Sequence, residues 1–171
     1  MALEEHSFRH LLPTFIISPG TQVVLKADKL RPLAQGCITR HYYHHYRGFI
    51  ATQRKLLAKQ EPKILKTLLY AYRVLLSGIH LLRTGEVEAF LPRLAQQHQR
   101  PFLHELIAQK REEKCPAADL DWAFHDAQLR GLDALLETAF QGSTLPDERD
   151  RRSVSAFLVR WRCDQPSSDA E

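Results

Sequence analysis

The chain has 171 residues, 44% of them hydrophobic and 26% charged, which suffices for one globular domain with a buried core. Its long apolar stretches are interrupted by Lys, Arg or His, which excludes a membrane-spanning segment. A net charge of +4, from 24 Lys and Arg against 20 Asp and Glu, permits a nucleic-acid or nucleotide partner without demanding one. The three cysteines, Cys37, Cys115 and Cys163, form no CxxC pair. They argue against a zinc ribbon or a disulfide framework and for a reducing cytoplasm. MALEEHSFRHLLPTF carries early acids and no long apolar run, unlike a secretory signal.

Residues 1–36 read as an irregular lead-in. Glu4 to Leu12 suits a short helix stopped by Pro13, FIISP a short extended piece, and Pro19-Gly20 a turn. Ile38 to Lys59 is the first strong helix, with Ile38, Tyr42, Tyr46, Phe49, Ile50, Gln53, Leu56 and Leu57 on its inner side. Arg40, His44, Arg47 and Arg54 form a basic stripe opposite. Gln60-Glu61-Pro62 separates it from an antiparallel neighbour.

That neighbour, Glu61 to Glu86, organises the chain. Ile64, Leu65, Leu68, Leu69, Tyr72, Leu75, Leu76, Ile79 and Leu82 make a core-facing side at helical spacing. Lys63, Lys66, Tyr70, Arg73, Ser77 and His80 make a cationic stripe without acids to cancel its field. Such a stripe suits phosphate, although a solvated helix face has the same composition. Thr84-Gly85 predicts a left-handed cap.

Val87 to His98 reads as a short helix that Pro92 either starts or bends. Pro101 begins a helix to about Glu113, with Lys110 and Arg111 at its basic end. Asp119 is the expected N-cap of a helix to Phe140 that is apolar on two sides, Leu129, Leu132, Leu136 and Phe140 on one and Leu120, Phe124, Ala127, Gly131 and Leu135 on the other. Its polar seam is Asp126, Arg130, Asp133 and Glu137. A last helix starts near Pro146 and carries Val154, Phe157, Leu158 and Trp161. The predicted architecture is an all-α bundle of about five to seven helices: lead-in 1–36, bundle 37–162, disordered tail 163–171.

No complete catalytic set stands out. His41 and His45 are spaced i, i+4 but lack a third ligand, so the expectation is no metal site. Asp119 and Asp121 form a DxD that helix capping accounts for. No Walker-type or dinucleotide glycine loop is present.

Taken in order, YRGFIATQRKL (46–56), KILKTLLYAYRVLLSGIHLLRTGEVEAFLPRL (63–94), LHELIAQKREE (103–113) and LDALLETAFQGSTLPDE (132–148) resemble a known pattern. It is that of the C-terminal helical half of predicted nucleotidyltransferases of the polymerase-β-like superfamily. The resemblance implies transfer of a nucleoside monophosphate from ATP or another nucleoside triphosphate. In that superfamily a catalytic half holds Mg²⁺ with a Gly-Ser turn and carboxylates. This sequence has no Gly-Ser followed by Asp-x-Asp on a strand. The expectation is a helical accessory domain without catalytic residues or a cofactor of its own. It would be inactive until a catalytic-domain partner chain supplies the metal site, and residues 1–36 would be that half's end. By analogy, Lys63, Lys66, Tyr70, Arg73, His80 and Lys110 would contact triphosphate or RNA. The alternative is a stand-alone helical module that binds nucleic acid or protein without catalysis.

Overall fold

Leu, Ala, Lys, Arg and Gln fill the periodic stretches, Gly and Pro punctuate them, and the backbone follows that division. A computed structural model describes residues 32–61, 63–112 and 120–163. The expected helix and turn before residue 32, Asp119 and the tail from 164 lie outside these residues. Among the described residues the protein is all-α, without strands: α1 (residues 32–36), α2 (Tyr42–Lys59), α3 (Leu65–Thr84), α4 (Leu91–Gln97), α5 (Phe102–Glu112), α6 (Trp122–Gln141) and α7 (Arg151–Cys163). No helix among them is long and apolar enough to cross a membrane.

The chain divides into two compact units. The first holds α2 to α6, with α3 packed against α2, α4, α5 and α6. Seven of its nine predicted core positions are buried, from Leu65 to Leu82. Ile64 precedes the helix and is 46% exposed, and Leu69 is half-buried. Gly85 closes α3 at φ 74°, its N–H donating to the Leu81 carbonyl at 2.8 Å, as the sequence predicts. Ser143 Oγ donates to the Leu82 carbonyl at 2.8 Å, tying the end of α3 to the loop after α6.

Several details differ from the periodicity. In α2, Tyr43 is buried while Leu56 is 43% exposed. Tyr43 stacks on Phe140 of α6 at 4.3 Å, and the turn at residues 40–41 starts the helix later than Ile38. In α4, Pro92 marks the true start. The N-cap of α6 is Asp121, whose carboxylate accepts from the Phe124 N–H at 2.9 Å. Only one of the two expected apolar sides of α6 is buried: His125, Leu129, Leu132, Leu136 and Ala139. Phe124, Ala127 and Gly131 are exposed, because the central place belongs to α3.

The second unit joins α1, residues 37–39 and residues 146–163 among those described. The Asp150 N–H donates to the Gly36 carbonyl at 3.0 Å. The Asp150 carboxylate accepts from the Ser153 N–H at 3.0 Å, so α7 begins at Arg151 rather than at Pro146. Cys37 and Cys163 are free thiols.

Gly78 sits where three helices meet. A Cβ there would lie 2.8 Å from Tyr46 Cγ and 3.0 Å from Leu136 Cδ1, whereas one at Gly131 would meet nothing within 4 Å. Gly78→Ala is expected to destabilise by about 1–2 kcal/mol, crowding outweighing the gain in helix propensity. Gly131→Ala should stabilise by about 0.5–1 kcal/mol. Urea midpoints of the two variants check both signs.

Burial lowers the pKa values of His98 and His125 below the ordinary histidine value. His80, Arg83 and Arg100 push His98 further down, while Asp121 opposes the shift at His125. As pH falls through about 6.5, the unfolded chain takes up these protons first. Stability is therefore full above that pH and declines below it, until the folded imidazoles protonate in turn. The urea midpoint is expected to drop between about pH 7.5 and about pH 5.5, and His98→Gln should flatten the drop. Equal midpoints at both pH values would refute the assignment.

Candidate nucleic-acid interface

The first half of α3 is open to solvent on one side. Lys66, Tyr70 and Arg73, at i, i+4 and i+7, share that side. Lys66 is exposed, and Tyr70 and Arg73 are half-buried. The Arg73 guanidinium lies 4.3 Å from the centroid of the Tyr70 ring. Tyr70 leans on Phe49 of α2 at 5.7 Å, and Phe49 stacks on His45 at 6.1 Å. Two helices thus build one continuous surface of cations and aromatic rings. Among the described residues, no carboxylate forms an ion pair with Lys66 or Arg73.

The other predicted site residues lie elsewhere. Lys63 precedes the first turn of α3, so helical spacing does not govern it. Its ammonium lies 4.7 Å from the Trp122 ring centroid, at the start of α6. His80 is buried at 8% exposure, with its ring 6.3 Å from that of His98, and Ser77 is buried beside it at 6%. Lys110 is exposed in the last turn of α5. Val74 to Leu82 contains no formal charge, and a helical run that is apolar all round is enclosed. That was the signal that His80 and Ser77 belong to the interior. Phe49 and His45 were not among the predicted contacts, since Phe49 was read as a core residue.

The basic stripe of α2 has a different fate from that of α3. Arg54 pairs with Asp126 at 3.3 Å and with Asp133, and Arg130 also pairs with Asp126. The Tyr43 hydroxyl donates to Glu137, and burial and this neighbour together raise the Tyr43 pKa. Arg40 lies 4.6 Å from the Phe140 ring centroid and donates to the Phe140 carbonyl at 3.3 Å. Much of this stripe is spent on holding α2 to the polar seam of α6. His41 and His45 serve ring packing, His41 stacking on His44 at 6.0 Å.

Among the described residues, no three His, Cys, Asp or Glu side chains converge as metal ligands. Asp126 and Asp133 are turned toward Arg54. The described residues therefore do not fit the Mg²⁺ site that the superfamily resemblance implies, and no step is assigned to a metal on them.

Beneath Lys63 is a cavity of about 160 Å³. Leu57, Leu68 and Leu129 give it an apolar base; Trp122, His125, Arg54 and Asp126 complete its wall. His125 Nδ1 lies 2.9 Å from the Tyr72 hydroxyl, both side chains being buried. This cavity was not legible in the sequence, because Lys63 and Trp122 are 59 positions apart.

Comparison with known proteins bears on these features. The uncharacterized protein MJ0002 of Methanocaldococcus jannaschii is 36% identical over 62 residues. That stretch is 36% of this chain, and the chain spans about a quarter (26%) of the relative's length. No solved structure matches the chain. The family model described as "RlaP: RNA repair pathway DNA polymerase beta family" matches residues 14–160, which take in all the helices of the first unit. The polymerase-β-like resemblance read from the sequence agrees with it, and the protein belongs to the RlaP, or RNA repair pathway DNA polymerase beta, family.

Proposed function

We propose that this chain is the helical, substrate-holding part of a nucleotidyltransferase and corresponds to the C-terminal half of the polymerase-β-like arrangement. The Lys66–Tyr70–Arg73 face grips the phosphates of RNA or of a nucleoside triphosphate. The observation that carries this reading is the continuity of that face with Phe49 and His45, free of carboxylate partners among the described residues. Stacking holds Arg73 against Tyr70, so less side-chain freedom is lost when its fork meets a phosphate. Tyr70 and Phe49 offer ring faces to a base regardless of its identity.

Phosphate binding of this kind positions a substrate without performing the transfer. The reading assigns the metal-holding carboxylates, and with them Mg²⁺ and the triphosphate chemistry, to a catalytic-domain partner. Lys110 adds a peripheral cation on α5. His80, enclosed in the core, belongs to packing in this reading and not to the contact surface. A reducing cytoplasm suits the free cysteines.

Binding of a labelled single-stranded RNA, followed by anisotropy across a salt series, tests the proposal. The double variant Lys66→Glu/Arg73→Glu is expected to weaken binding roughly tenfold or more at low salt. It should also lower the log–log salt slope by about 1.4, two phosphates at about 0.7 each. Both side chains lie on the surface side of α3, so the fold should persist, which circular dichroism checks. Unchanged affinity in a folded variant removes this face from substrate binding.

A further inference from the structure

We infer that the cavity beneath Lys63 is a nucleobase pocket that receives one unstacked base of the bound nucleotide or strand; this rests on the reading that the bundle binds nucleotide or RNA. The size is apt. An enclosed cavity of about 150 Å³ accepts benzene, and this half-open cleft of about 160 Å³ offers a similar volume to one heteroaromatic ring.

The lining narrows the class of ligand. Leu57, Leu68 and Leu129 are 8%, 0% and 3% exposed and would desolvate a flat apolar surface. A purely apolar guest, however, would make no use of Lys63 or of Arg54 and Asp126, which pair with each other. A bare anion would meet the Asp126 carboxylate and gain nothing from Trp122. A base with hydrogen-bonding edges and an attached phosphate uses all of them. The indole of Trp122 gives it a stacking wall. Lys63, with no carboxylate ion pair among the described residues, gives its phosphate a cation. Asp126 is anchored by Arg54 and Arg130, which fixes an acceptor for an exocyclic amine. The Tyr72 hydroxyl fixes the His125 ring at 2.9 Å, and burial favours the neutral imidazole, which can donate or accept.

The test uses the full chain carrying Trp161→Phe. The protein has two tryptophans, so Trp122 becomes its sole indole. AMP, GMP, CMP, UMP and the base-free ribose 5-phosphate are titrated against its fluorescence. Saturable quenching by the nucleotides and none by ribose 5-phosphate is the expected result. Lys63→Ala should weaken it about tenfold. Ala58, exposed on α2 at the cavity, allows Ala58→Phe to block entry and abolish the quenching without disturbing the core. Equal quenching by ribose 5-phosphate would mean an anion site and overturn the base assignment. An absence of quenching, with salt-sensitive RNA binding retained, would overturn the pocket while leaving the α3 face standing. Loss of both would overturn both readings.

Discussion

Enclosure of the second half of α3 is the constraint on which the first unit depends. From Val74 to Leu82 every residue is buried, and two neighbours approach closely enough at Gly78 that a methyl group has no room. Removing a leucine side chain from water is worth about 1.5–3 kcal/mol, and this one helix buries six of them, together with Tyr72, Val74 and Ile79. Such a helix cannot move without opening contacts to α2, α4, α5 and α6 together. It is therefore a rigid rod whose other, less covered end can carry side chains in a fixed relation.

That asymmetry along α3 decides where charge remains available. Arg40, just before α2, lies on an aromatic ring of α6, and Arg54 of α2 bridges two carboxylates of α6 while each pair remains partly solvated. Partly exposed pairs of this kind add little stability, but they cancel local field and fix side-chain positions. Among the described residues, no carboxylate forms an ion pair with a cation in the first turns of α3. Lys66 and Arg73 thus keep their charge where the helix emerges from its neighbours, next to Phe49 and Tyr70.

Helix number, the central place of α3 and its glycine cap were legible because apolar spacing and Gly85 act locally. The single buried side of α6 was not. Leu120, Phe124 and Leu135 have the spacing of a second face, yet nothing in the sequence says that α3 has already taken the centre. The cationic stripe was partly legible for a related reason. Period alone places His80 in line with Arg73, while burial follows what lies opposite, and a chargeless run from Val74 to Leu82 draws partners on every side. Lys63 shows the limit most clearly. It sits three positions before Lys66, but the helix begins between them, so the spacing rule fails at that boundary.

The boundary also links the two surfaces in a way that neither residue suggests alone. Because Leu65 and Leu68 are pinned in the core, the backbone on either side of Lys63 and Lys66 is fixed at one end. Lys66 is exposed on the side of α3 that carries Tyr70, while Lys63 is turned onto Trp122. A polyanion that follows the α3 face needs a charge-neutral place for a base between phosphates, since bases and phosphates alternate along a strand. In the proposed reading, a greasy, ring-walled cavity beside a cation at the foot of the same helix meets that need. The Lys63 ammonium and the Trp122 ring, 4.7 Å apart, both line that cavity. Rigidity at the buried end of α3 and chemistry at its open end are, on this argument, two consequences of one unevenly apolar helix.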